Sequence, residues 1–232
     1  MDNLPRISVV MVTYKRTDLA LRTIRGVSEF LGYPKELLGW YIADDGSDPS
    51  HPNALLEELN ACSERVIGVH NIRYRPPGKE NSYFCGKGWN IALTYAHRFS
   101  DFVLFLEDDW ELTKPLDIRP YIKMLSERQD VGIVRLGHLA VGSDVHIVGH
   151  GGVHYLNYLR TTQYAYSGNP LIRHKRFLEY YGYFSEEKNP GDIELDIDSR
   201  FREGSAGPAI WRPADIPGWG VFGHIGTDKS FE

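Results

Sequence analysis

Phe102-Val-Leu-Phe-Leu-Glu-Asp-Asp-Trp-Glu-Leu112 sets the class of fold for the residues around it. Five apolar residues run directly into three consecutive carboxylates, Glu107, Asp108 and Asp109. A short apolar run of this kind predicts a strand buried on both faces, as in a parallel sheet. The acids then stand at its carboxyl end, the edge at which open α/β sheets bind ligands. Adjacent acids in a half-buried place repel one another and lose hydration, so a positive partner is expected among them. A hard divalent ion fits that role, and such an ion commonly holds a phosphate as well. The alternative is a solvated acidic turn in which Asp108 or Asp109 helps a later helix to start.

The residues on either side repeat the theme. Ile7 to Val12 is a β-branched strand, followed by the loop Thr13-Tyr-Lys-Arg-Thr-Asp18. Thr17 or Asp18 can cap a helix whose apolar face is Leu19, Leu21, Ile24, Val27 and Leu31, ended by Gly32 and Pro34. Trp40 to Ala43 is a second strand that runs into Asp44-Asp-Gly-Ser-Asp48; a helix over Pro52 to Ala61 and a strand over Val66 to Tyr74 follow. The Pro- and Gly-bearing segment Arg75 to Asn81 reads as a mobile loop, and Gly86 opens a helix reaching about Phe99. Beyond the acids come a helix near Ile118 to Arg128 and a strand over Gly132 to Leu136. This alternation predicts an α/β fold with a mostly parallel sheet and right-handed crossovers.

The second half changes character. Val145 to Arg160 reads as a hairpin turning at Gly149-His-Gly-Gly152, Gln163 to Tyr166 as a further strand, and Arg173 to Tyr181 and Asp192 to Phe201 as short helices. The tail Gly218-Trp-Gly-Val-Phe-Gly-His-Ile-Gly226 is glycine-rich and aromatic. A regular half over 1–112 followed by an irregular half over 113–232 predicts a single domain whose second half is shaped for another ligand.

A net charge of −5 supplies no global field for nucleic acid. Local basic patches from Arg73, Arg75 and Lys79 with Arg173, Lys175 and Arg176 leave a nucleic-acid partner open. Two cysteines give no disulfide framework, and the apolar runs are too short to span a bilayer. With a polar N-terminus unlike a signal peptide, a soluble cytoplasmic protein is expected. His146, His150 and His154 recur every four residues, a metal spacing on a helix that the intervening glycines argue against. Asp44 and Asp45 place further acids on the same rim; an Asp there can accept from a base imide or ribose hydroxyls, or simply form an Asx turn. Arg16 and Lys87 can add positive charge for phosphates or lie on a solvated surface.

Val9-Val-Met-Val-Thr-Tyr-Lys-Arg16, Ile42-Ala-Asp-Asp-Gly-Ser-Asp48, Gly88-Trp-Asn-Ile-Ala-Leu93 and Phe105-Leu-Glu-Asp-Asp109 occur in this order. In order and spacing they resemble family 2-like glycosyltransferases of the GT-A fold, a Rossmann-like nucleotide-diphospho-sugar transferase architecture, over roughly residues 6–112. The resemblance implies that Thr13 and Tyr14 border the nucleotide base and that Asp45, with Asp44 as a weaker candidate, binds it. Glu107-Asp-Asp109 stands where the family has its Asp-x-Asp motif, with Glu replacing the first Asp. It implies Mn²⁺ or Mg²⁺ on Asp109, with Glu107 and Asp108 on the donor side. A late His, here His224, is often brought to the metal or diphosphate in related enzymes, and Lys229 can touch phosphate.

The acceptor hydroxyl needs a base. Counting back six residues from Arg200 places Glu194 at the family's usual acid, but the usual adjacent acid pair is interrupted by Ile193. Asp192 and Asp196 therefore remain alternatives. On a helix they share one face, while Glu194 and Asp198 share another. The resemblance implies an inverting, metal-dependent glycosyltransferase taking a nucleoside-diphosphate sugar, UDP-sugar foremost with GDP- or dTDP-sugar open, and a hydroxyl acceptor on a glycan, a lipid-linked sugar, a protein or a modified nucleic-acid base. A sugar nucleotidyltransferase and a non-catalytic nucleotide-sugar or glycan-binding module are the rivals. Thr13-Tyr-Lys-Arg-Thr17 lacks the glycines that the former usually carries.

Overall fold

The computed structural model describes residues 4–72, 85–138, 144–168, 170–186 and 188–226. Its elements are β1 (Ile7–Thr13), α1 (Thr17–Phe30), β2 (Leu31–Gly32), β3 (Leu38–Asp44), α2 (Ser50–Ala61), β4 (Val66–Asn71), α3 (Cys85–Phe99), β5 (Phe102–Glu107), β6 (Trp110–Leu112) and β7 (Leu116–Asp117). They continue with α4 (Arg119–Glu127), β8 (Val131–Arg135), β9 (Val145–His150), β10 (Val153–Tyr158), β11 (Leu171–His174), α5 (Lys175–Tyr181), α6 (Pro190–Glu203), β12 (Ala209–Pro213) and β13 (Phe222–His224).

β1 shows why the sheet lies inside. Its side chains alternate between two faces, as any strand's must. Ile7, Val9 and Met11 join one core with Ala20, Ile24 and Val27 of α1, Leu55 and Leu59 of α2, and Ile122 and Leu125 of α4. Val10 and Val12 join the opposite core with Trp89, Leu93 and Ala96 of α3, Phe177 of α5, and Ile193, Ile197 and Phe201 of α6. Each fully buried aliphatic side chain contributes about 1.5–3 kcal/mol. Ser8, a polar residue in the middle of this packing, is satisfied: its hydroxyl donates to Ala96 O at 2.8 Å.

The strands form a nine-stranded sheet in the order β4-β3-β1-β5-β11-β8-β12-β10-β9. β4, β3, β1 and β5 are parallel neighbours; β11 enters antiparallel between β5 and β8, and β10 is antiparallel to both β12 and β9. All strands except β11 and β10 therefore point one way. Two small ribbons, β13 with β6 and β2 with β7, complete the topology. Among the described residues no helix is long and apolar enough to cross a membrane.

Several sequence expectations are corrected. Gln163 to Tyr166 is not a strand: Tyr164 has φ 58°, and the Tyr164 and Tyr166 N–H groups go to the Asp198 carboxylate at 3.1 and 3.0 Å rather than to a ladder. The helix expected from Arg173 begins at Lys175, because Leu171 to His174 pair with β5 and Leu171 to Arg173 also pair with β8. β12 had no counterpart in the sequence reading. The expected strand Val66 to Tyr74 is a strand through Asn71, and its last two residues, with the loop Arg75 to Asn81 and Lys229, lie outside the described residues. The basic patch around Arg173 is not a patch. Arg173 is buried, Arg176 donates to the carbonyls of Leu125, Arg128 and Val131, and Lys175 pairs with Asp101.

Asp198 carries a stability prediction. It is buried and holds two backbone N–H groups, with Arg202 3.2 Å away. Asp198→Ala strands both donors, so unfolding stability in urea should fall by about 2–4 kcal/mol. A loss below about 0.5 kcal/mol would show that water takes over both bonds.

Candidate functional site

Strand register brings the candidate residues to one rim. Thr13 lies opposite Asp44 across the β1–β3 pair, and Val12 lies opposite Glu107 across the β1–β5 pair. Asp45 N donates to Thr13 O at 3.0 Å, tying the two strand tips together. Asp44 is fully buried and accepts from Ser47 N at 3.1 Å, from the Ser47 hydroxyl and from the Asn71 amide. These contacts tie Ser47 and Asn71 to the end of β3 and shape the loop in which Asp45 sits.

The positive partner expected among the acids is present, and it is Arg16. Its Nη1 lies 2.8 Å from Asp109 Oδ2, and its Nη2 is paired with Asp108 Oδ1. Asp108 Oδ2 accepts from the Thr13 hydroxyl at 2.7 Å and from Tyr14 N at 3.2 Å. Burial lifts Asp108 to about 6, with Arg16 and the Thr13 hydroxyl opposing the shift. Asp108 is thus a structural anchor for the β1–α1 loop.

Asp109 has a different environment. Its Oδ1 is buried and has no hydrogen-bond partner among the described residues, and its Oδ2 lies 3.3 Å from His224 Nε2. His224 arrives there because β13 pairs with β6, putting His224 opposite Trp110, and because Ile225 N donates to Asp109 O at 2.9 Å. A Cβ on Gly226 would collide with Asp109 Oδ2, so glycine leaves the carboxylate room on that side. Among the described residues no three His, Cys, Asp or Glu side chains form a complete cation cage. An orphaned carboxylate oxygen beside an imidazole nitrogen nevertheless fits Mn²⁺ or Mg²⁺, whose remaining positions are commonly filled by phosphate oxygens and water.

His224 also lines a cleft of about 350 Å³, together with Trp89, Glu107, Trp110, His138, Ser167, Gly191 and Glu194. Glu194 accepts from Gly168 N. A Cβ on Gly168 would stand 2.6 Å from Glu194 Oε1 and 3.3 Å from Glu107 Oε1, so this glycine lies between the two carboxylates. Burial raises Glu194 above the ordinary glutamate value, opposed by the Gly168 N–H and Arg135. Arg135 is buried and donates to the carbonyls of Tyr164, Ala165 and His138, fixing both walls of the cleft. A larger groove of about 820 Å³ lies near the amino ends of β1 and α4, lined in part by Pro5, Arg119 and Glu127, and contains none of the acids considered above.

α6 separates its acids by face. Glu194 and Asp198 turn inward, whereas Asp196 is held at the surface by Lys188 Nζ at 2.8 Å and by Arg200. Asp192 is exposed in the first turn, beside Asn189. Neither lines the cleft. Lys87 is exposed on the first turn of α3, and no contact with the acids is seen among the described residues. Tyr14 is half-buried, with Lys15 Nζ 4.6 Å from the ring centroid. His146, His150 and His154 sit on a β-hairpin rather than a helix, and His150 bonds Glu127 at 2.8 Å.

Two site residues were not found by sequence reasoning. Trp110 donates to Glu107 Oε2 at 3.3 Å and carries His138 and His224 against its ring at 5.0 and 4.8 Å. His138 follows β8 with no motif around it. The only sequence signal for Trp110 was its place directly after the acids.

Glu107 is raised well above the ordinary value by burial, with Glu194 and Asp109 adding to the shift. Its neutral form is the one the fold favours. The stability this supplies is complete below the ordinary glutamate range and is lost as pH rises through the raised value. Glu107→Gln should therefore melt higher than the wild type at alkaline pH, with the difference vanishing in acid. A lower melting temperature at alkaline pH would contradict this.

The sequence matches no protein-family model and no curated protein. Solved structures do match. S. aureus TarS 1–349 aligns at 16% identity and TM-score 0.63, over 90% of this chain and 58% of that one. The mannosyltransferase PcManGT from Pyrobaculum calidifontis, in complex with GDP-Man and Mn²⁺, aligns at 14% identity and TM-score 0.57, over 93% and 58%. GalNAc-T7, with UDP, GalNAc and Mn²⁺, aligns at 13% identity and TM-score 0.62, over 95% and 46%. The chain thus has the GT-A fold and spans little more than half the length of the first of these proteins.

Proposed function

We propose that this chain is a metal-dependent, inverting glycosyltransferase that moves a sugar from a nucleoside-diphosphate donor, UDP-sugar foremost, to a hydroxyl acceptor. The observation that carries this reading is one cleft lined by both His224 and the half-buried Glu194, with His224 Nε2 3.3 Å from Asp109 Oδ2. The other Asp109 oxygen has no hydrogen-bond partner among the described residues. GT-A neighbours solved with UDP-GlcNAc, with GDP-Man and Mn²⁺, and with UDP and Mn²⁺ support the donor class.

In this reading Asp109 and His224 would hold Mn²⁺ or Mg²⁺, and the ion would supply charge neutralisation for the leaving diphosphate. Thr13, Tyr14 and Asp45 border the base, and Arg16 and Lys87 supply positive charge on the phosphate side. Asp44 shapes the Asp45 loop, and Asp108 keeps the Thr13–Arg16 loop in place. Glu194 accepts the acceptor hydroxyl's proton as that oxygen bonds to the anomeric carbon. The anomeric carbon–oxygen bond to the diphosphate breaks, its electron pair leaves with the diphosphate, and configuration inverts. Asp192 and Asp196 take no part. The raised Glu194 places the ionised base, and hence the acid limb of the rate profile, above the usual glutamate range.

The test is incubation with a panel of UDP-, GDP- and dTDP-sugars with and without Mn²⁺, following nucleoside diphosphate release and the configuration of the product. Release that requires Mn²⁺ is expected. Pyrophosphate release from nucleoside triphosphate and sugar 1-phosphate would instead favour a nucleotidyltransferase.

A further inference from the structure

His51 is a buried ionisable side chain to which the proposed chemistry assigns no part. It is 3% exposed on the first turn of α2, yet both ring nitrogens are bonded. Nε2 lies 2.8 Å from Thr13 Oγ1, and Nδ1 lies 2.7 Å from Thr17 Oγ1. Thr13 Oγ1 is also 2.7 Å from Asp108 Oδ2.

Counting protons orders this chain. A hydroxyl has a single hydrogen to give. Asp108, paired with Arg16, is the acceptor, so the Thr13 hydrogen goes to it. Thr13 Oγ1 must then accept from His51, which puts the ring hydrogen on Nε2. Nδ1 is left bare and accepts from the Thr17 hydroxyl. Each hydrogen in Thr17–His51–Thr13–Asp108 therefore points toward Asp108, and a neutral ring satisfies every atom. Burial, which pushes the ring's pKa down, favours the same neutral form.

The loop needs such restraint. Lys15 has φ 63°, a left-handed conformation that a non-glycine residue keeps only when its surroundings impose it. Ser47 Oγ accepts Lys15 N at 2.8 Å, Asp108 takes Tyr14 N, and His51 bridges the threonines on either side. We propose that His51, as the neutral Nε2–H tautomer, is a positioning residue that locks the Thr13–Arg16 loop onto Asp108 in the shape that receives the nucleotide. The last clause rests on the reading of that loop as the donor side; the tautomer and the lock do not.

Two amide variants separate the ring's halves. Gln at 51 can reach the Nε2 position and donate to Thr13; Asn reproduces only the Nδ1 side toward Thr17. Calorimetric titration with UDP and Mn²⁺ should show His51→Asn binding about tenfold more weakly, one buried hydrogen bond's worth, and His51→Gln within about threefold of wild type. In a Thr13→Val background His51→Asn should add nothing further. Equal affinities for the wild type and His51→Asn, or an undiminished loss in the Thr13→Val background, would overturn the lock. Long-range ¹H–¹⁵N spectra at neutral pH decide the tautomer separately: a bare Nδ1 is expected, and an Nδ1–H ring or an imidazolium overturns the assignment. A wild type that binds no nucleotide would remove the functional reading, while the spectra still judge the chain of bonds.

Discussion

Asp109→Ala should reduce donor turnover by at least about 10²–10³-fold, the scale seen when one element of leaving-group charge stabilisation is removed. The loss should be specific. Among the described residues the Asp109 carboxylate contacts only Arg16, which keeps Asp108, and the exposed His224, and the main-chain bond from Ile225 to Asp109 O survives the change. Melting temperature should thus stay close to the wild type while the Mn²⁺ enhancement of nucleotide binding disappears. Titration calorimetry of UDP with and without Mn²⁺ reads this directly. Undiminished enhancement in the variant would move the cation elsewhere.

Glu194→Gln should leave nucleotide affinity intact and lower transfer by about 10²–10⁴-fold, the span expected when a general base is lost. Gln retains an oxygen for the Gly168 N–H, so the loop over 164–168 keeps its anchor. The residual rate should also lose the acid limb that the wild type shows. Asp192→Asn and Asp196→Asn serve as controls. The first is exposed, and the second gives up partly exposed ion pairs with Lys188 and Arg200 that contribute about 0–1 kcal/mol each. Transfer within about twofold of wild type is expected for both. A collapse in Asp196→Asn with near-normal Glu194→Gln would reassign the base.

The helix that carries these acids shows what sequence periodicity can and cannot decide. Ile193, Ile197 and Phe201 form a buried stripe at intervals of four, which marks the inward side. Glu194 and Asp198 lie one residue beyond the stripe, and Asp192 and Asp196 one residue before it. At 100° per residue these are its two flanks, equally placed by the helix itself. Only the tertiary partners choose: Gly168 and Arg135 on one side, Lys188 and Arg200 on the other. The alternating strands and helices of the first half were legible because their periods are local, and the acids ended their strand as read. β11 was not legible. Leu-Ile-Arg-His runs into Lys-Arg-Phe without a break, and its strand character comes from pairing with Phe102–Phe105 far earlier in the chain. The same limit hid His138 and His51, and it left the approach of His224 to Asp109, 115 residues apart, to rest on resemblance.

Anomalous diffraction at the manganese edge, from crystals grown with UDP and Mn²⁺, shows whether a cation at Asp109 anchors the donor's diphosphate. An anomalous peak is expected in contact with an Asp109 carboxylate oxygen and with a diphosphate oxygen, with Arg16 turned from Asp109 toward the phosphates. Ordered UDP with no peak at Asp109, and Arg16 still bound there, would contradict it.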